Sequence, residues 1–107
     1  MILVLSSEGS PGTSAEVSAS VVEQKQISFR SADSNETVLE WISNESFERI
    51  IVLIPAEGIN PFALSRTLKH TKGPKLVLAG QLRPYYRYWA ERSGCLTAGS
   101  IQAALET

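Results

Sequence analysis

Arg49-Ile50-Ile51-Val52-Leu53-Ile54-Pro55 is an apolar run, Ile50 to Ile54, opened by an arginine and closed by a proline, the pattern of a strand buried on both faces of a parallel sheet. Four shorter segments of the same kind surround it: Ile2-Leu3-Val4-Leu5, Ile27-Ser28-Phe29-Arg30, Lys75-Leu76-Val77-Leu78-Ala79 and Cys95-Leu96-Thr97. The spacers read as helices. Pro11 opens one that runs to about Gln24, and Asp33, Ser34 or Asn35 can cap the next, which spaces Val38, Leu39, Trp41 and Ile42 helically. Pro61 starts a helix with Phe62, Leu64, Ser65 and Leu68, ended by the bases and Gly-Pro of residues 69–74. Pro84 opens another that Gly94 closes, and Ser100 caps a last one with Ile101, Ala104 and Leu105. Strict alternation of this kind predicts a three-layer α/β fold with a parallel sheet, whose functional groups belong at the carboxyl ends of the strands.

A chain of 107 residues, 43% hydrophobic and 20% charged, fits one globular domain, taken as 1–107. No apolar run has the roughly 18 residues that span a bilayer, and the amino terminus lacks a signal-peptide pattern, so a cytoplasmic domain is expected, which includes the cytoplasmic part of a membrane-anchored protein. Cys95 is the only cysteine, which excludes an internal disulfide and a cysteine-based zinc site. The net charge of -1 conceals an asymmetry: residues 1–59 carry nine acids against three bases, residues 60–107 seven bases against two acids. A sheet with its halves side by side would have one acidic and one basic flank, able to orient a charged partner.

The five-fold βα rhythm, the opening strand Met1-Ile2-Leu3-Val4-Leu5, the central strand Phe47-Glu48-Arg49-Ile50-Ile51-Val52-Leu53 and the segment Ser93-Gly94-Cys95-Leu96-Thr97-Ala98 together resemble the receiver domain of bacterial two-component systems. The resemblance covers essentially the whole chain. It implies a flavodoxin-like sheet of order 2-1-3-4-5 with helices on both faces, and a phosphorylation site made of an acidic pair after the first strand, an aspartate after the third, a hydroxyl after the fourth and a lysine after the fifth. Hard Mg²⁺ takes the carboxylates, and the cation and lysine offset the phosphoryl charge. Here those positions fall on Ser6 and Ser7, Ile54, Ala79 and Ala98. All are vacant, so the expectation is a pseudo-receiver without enzymatic activity, cofactor or metal, not phosphorylated by the aspartyl route.

Other candidate chemistry is sparse. The loop after the first strand offers Ser7, Gly9, Ser10, Gly12 and Thr13 as a possible anion site at a helix amino terminus, or simply a tight turn; it lacks the Lys-Ser/Thr ending of a P-loop. It also resembles the loop of sugar-phosphotransferase B subunits, with Ser6 where those keep a cysteine. His70 sits among Lys69, Thr71 and Lys72 at a helix end, where a dipole-stabilised imidazole is expected, and Cys95 reads as a small core residue.

The segment Arg83-Pro84-Tyr85-Tyr86-Arg87-Tyr88-Trp89-Ala90-Glu91-Arg92 cannot bury all its aromatics on one short helix, and exposed Tyr, Trp and Arg are the composition of interface hot spots. Arg83, Tyr85, Tyr86, Arg87, Tyr88, Trp89 and Arg92 are therefore the expected partner-binding residues. In receivers the surface of the fourth helix, fifth strand and fifth helix is the usual docking face, so the resemblance points to the same patch. The expected partner is a histidine kinase, phosphotransfer protein, response regulator or second copy, and the chain reads as a domain cut from a longer signalling protein. The same basic and aromatic residues would also serve nucleic-acid binding, the competing expectation, against which stand a pI of about 5.8 and the lack of any known nucleic-acid module. A regulatory domain for phosphate or another small ligand is the remaining alternative.

Overall fold

The computed structural model describes residues 2–5, 27–53, 58–71, 73–80 and 83–106. Its elements in chain order are β1 (Ile2–Leu5), β2 (Ile27–Arg30), α1 (Asn35–Asn44), β3 (Arg49–Leu53), α2 (Pro61–His70), β4 (Lys75–Ala79), α3 (Pro84–Ser93), β5 (Leu96–Ala98) and α4 (Ile101–Glu106). The five strands form one parallel sheet of order β2-β1-β3-β4-β5. The helix expected from Pro11 to Gln24 and the glycine loop before it lie outside the described residues.

Period-two alternation divides the strands between two cores. Leu3, Leu5, Ile50, Val52, Leu76 and Leu78 face α1, α2 and α3, where Val38, Leu64, Leu68 and Ala90 complete the packing. Ile2, Val4, Ile51, Val77 and Ala79 face the other way, against Ala104 and Leu105 of α4. Helices thus cover both faces, and β3 is central enough that Ile50, Ile51 and Val52 are wholly buried. Truncating one of the two isoleucines to alanine costs about 2 to 5 kcal/mol at such sites.

The helix ends follow local chemistry. Ser34 caps α1, its Oγ accepting from the Thr37 amide. Asn60 caps α2 by accepting from the amides of Phe62 and Ala63, with Pro61 in the first turn. Gly94 closes α3 in the left-handed conformation. The last strand begins at Leu96, one residue later than the sequence predicts, because the Cys95 amide is occupied in closing α3: it donates to Ala90 O at 2.8 Å. Arg49, at the start of β3, donates to the carbonyls of Ala104 and Leu105 at the end of α4. Among the described residues no helix is long and apolar enough to cross a membrane.

Candidate functional site

In a doubly wound sheet, chemistry belongs at the carboxyl ends of the strands. Two of the positions that the receiver resemblance singles out are described there. Ala79 and Ala98 are register partners at the ends of β4 and β5, Ala79 fully buried, and the Gly80 amide donates to Ala98 O at 3.2 Å. Two methyl groups stand side by side, with no group able to polarise a phosphoryl oxygen. Ser6, Ser7 and Ile54, and the anion-loop candidates Ser7, Gly9, Ser10, Gly12 and Thr13, lie outside the described residues. The chain holds a single aspartate, Asp33, exposed in the turn before α1.

At the same end, the residues leading into α1 and α2 are tied together. Asn35 Nδ2 donates to Asn60 O at 2.9 Å, and the Asn60 amide donates back to Asn35 Oδ1 at 3.0 Å. Gly58, at φ +80, lies so close to the Asp33 carbonyl that a Cβ would come within 2.3 Å of its oxygen. Since β1 sits between β2 and β3, these contacts join connections that leave the sheet on either side of β1.

The segment that the sequence marks for partner binding is α3. Tyr85, Tyr88 and Trp89 are 52%, 50% and 49% exposed. With Arg92 they fall at i, i+3, i+4 and i+7, one stripe of the helix. The stripe is organised: Tyr88 and Trp89 meet edge to face with centroids 5.4 Å apart, and the Arg92 guanidinium lies 4.5 Å over the Tyr88 ring. Both arrangements are favourable for aromatic quadrupoles. Tyr86 is different. Half-buried, it stacks on Phe62 of α2 at 6.2 Å and on Tyr85 at 4.5 Å, so it forms the floor beneath Tyr85. Its phenol is held above the ordinary range, first by hydrogen bonding to Tyr85. Arg83 and Arg87 are exposed, but Arg87 falls about 200° around the helix from Tyr85, off the stripe.

Leu96, 38% exposed on the edge strand β5, is a fourth exposed large apolar side chain in this part of the chain that the sequence reading does not assign; an apolar residue in a short strand gives no sign that its outer side is uncovered. His70 is exposed. Cys95 is buried with its thiol directed at Pro61 O at 3.8 Å, and burial pushes that thiol up, the Ser65 hydroxyl opposing.

No family model matches the chain, and no curated protein matches it either. Solved structures do. The CheY-like response regulator receiver domain protein from Methanospirillum hungatei JF-1 superposes with a TM-score of 0.65 at 17% identity, over 92% of this chain and 78% of that one. The receiver domain of the TMAO respiratory system response regulator TorR gives 0.68 at 21% identity, over 98% and 87%. The chain therefore has the flavodoxin-like fold of CheY-like receiver domains, with the strand order 2-1-3-4-5 that the sequence pattern implies.

Proposed function

We propose that this chain is a receiver-fold interaction module of two-component or phosphorelay signalling that docks a protein partner through α3 without accepting phosphate on aspartate. The observation that carries the docking half is the exposed Tyr85, Tyr88, Trp89 and Arg92 stripe on a scaffold shared with response-regulator receivers. Three half-exposed aromatic rings on one helix flank are unfavourable to leave in water, and Tyr, Trp and Arg are the residues that concentrate binding energy at interfaces. The non-phosphorylated half is supported by sequence: the chain's one aspartate is Asp33, on the connection after β2, and Ala79 and Ala98 offer neither hydroxyl nor ammonium.

Two experiments test the halves separately. Immobilised protein challenged with purified histidine kinases, phosphotransfer proteins and response regulators is expected to capture one of them, and the triple variant Tyr85→Ser, Tyr88→Ser, Trp89→Ser to lose it by at least about tenfold in Kd. Because these side chains are half in water, the variant should keep the circular dichroism and unfolding midpoint of the parent. Undiminished capture by the folded variant would remove α3 as the docking surface. Incubation with acetyl phosphate and Mg²⁺ is expected to leave the intact mass unchanged, and a phosphoryl adduct would overturn the second half.

A further inference from the structure

A cavity of about 300 Å³ opens at the amino ends of β4 and β5, lined by Leu68 and Lys69 of α2, Pro74, Lys75 and Leu76 at the start of β4, and Gly94. This is the opposite end of the sheet from the loops discussed above. Two lysines and no acid line it, so its charge is uncompensated from within. Basic residues near helix carboxyl termini commonly serve to neutralise terminal carbonyls. Here the chain's own donors already occupy several of those carbonyls. At the end of α2, Leu68 O accepts from the Gly73 amide at 2.7 Å and Thr67 O from the Thr71 amide at 3.1 Å. At the end of α3, Ala90 O accepts from the Cys95 amide and Ser93 O from the buried Ser65 hydroxyl at 3.1 Å. Among the described residues neither the Lys69 nor the Lys75 side chain makes a hydrogen bond, and the one ion pair is Arg30 with Glu45. The Lys69 chain lies along Gly94, where an added Cβ would meet its Cδ at 3.8 Å and its Nζ at 3.9 Å.

The remaining lining mixes Leu68, Pro74 and Leu76 with Ser65, Gly73 and Gly94, and the volume is at the small end of ligand pockets. Two ammoniums act as point charges suited to a doubly charged head group, and the apolar wall suits a compact body attached to it. We propose that this cavity binds a small organic phosphate monoester, its phosphate between Lys69 and Lys75 and its apolar portion against Leu68, Pro74 and Leu76.

The test is an amide chemical-shift titration of isotopically labelled protein with phenyl phosphate, with inorganic phosphate and phenol as comparison probes. The expected result is saturable shifts at Gly73, Leu76 and Gly94, with phenyl phosphate bound about tenfold more tightly than inorganic phosphate and phenol producing none of these shifts. The double variant Lys69→Gln, Lys75→Gln, both positions being exposed, should keep the remaining spectrum and lose the response. Absence of saturation, an unchanged response in the double variant, or equal affinity for the inorganic ion, meaning an adventitious ion only, would each overturn the proposal.

Discussion

Gly58 and Gly94 show how two residues with one backbone geometry can differ in what they tolerate. Both have φ near +80, where an L side chain is strained. A Cβ on Gly94 would meet nothing nearer than the flexible Lys69 chain at 3.8 Å, whereas on Gly58 it would strike the Asp33 carbonyl oxygen at 2.3 Å, which is backbone and cannot step aside. Gly94→Ala is therefore expected to cost about 1 kcal/mol and Gly58→Ala more than about 2 kcal/mol. Urea unfolding of both variants decides it, and equal losses would show that the Asp33 contact contributes nothing. Only one of these glycines announces itself in the sequence. Gly94 follows an amphipathic run and reads as a helix stop, but nothing around Gly58 reveals that its neighbour in space lies 25 positions earlier in the chain.

At the scale of elements, α3 differs from α1 and α2 in how its first turn is closed. Its N-cap is Arg83, which makes no capping hydrogen bond, while Ser34 and Asn60 cap α1 and α2 properly. Arg83→Ser is expected to raise stability by about 1 kcal/mol in thermal or urea unfolding, through a side-chain oxygen for an orphan amide. No gain would mean that the first turn is satisfied another way. At the opposite edge Arg30 of β2 holds Glu45, just past α1, by two hydrogen bonds of 2.6 Å, with Trp41 and Phe47 rings 5.1 and 5.5 Å from the guanidinium. The hydrogen bonds from Arg30, helped by its charge, hold the Glu45 carboxyl below the ordinary carboxylate range. A depressed carboxyl stabilises the fold above its unfolded pKa, and that contribution is lost as pH falls through the folded one. The stability gap between parent and Glu45→Gln should thus be full at neutral pH and close below about pH 4; a gap independent of pH would refute the linkage. The strands and helix ends were legible because buried parallel strands are continuous apolar runs, and Pro84 and Gly94 punctuate α3 at both ends. Which flank of α3 stays in water was not, since aromatics at 85, 86, 88 and 89 populate several sides of the helix, and only Phe62 of α2 decides that Tyr86 is the one drawn in.

For the molecule as a whole, strand order turns a sequence asymmetry into a spatial one. β2 and β5 are opposite edges of the sheet, so acidic α1 and basic α3 stand far apart. The two described bases of the acidic half are already engaged, Arg30 by Glu45 and Arg49 by the α4 carbonyls, while Asp33, Glu36, Glu40 and Glu48 are exposed. On the other side Arg83, Arg87 and Arg92 are exposed with only Glu91 among them on α3. A formal net charge of -1 therefore understates the local field, since charges separated by more than a Debye length, about 10 Å at 0.1 M salt, do not cancel at a surface. The protein is expected to be retained by a sulfonate cation exchanger at pH 7 and low ionic strength despite its negative net charge, and to elute as salt screens the patch. Arg87→Glu with Arg92→Glu should pass straight through, whereas Glu36→Gln with Glu40→Gln should bind somewhat more tightly. Passage of the parent protein at low salt would mean that the basic edge is too diffuse to act as a unit, and would remove electrostatic steering from the proposed docking through α3.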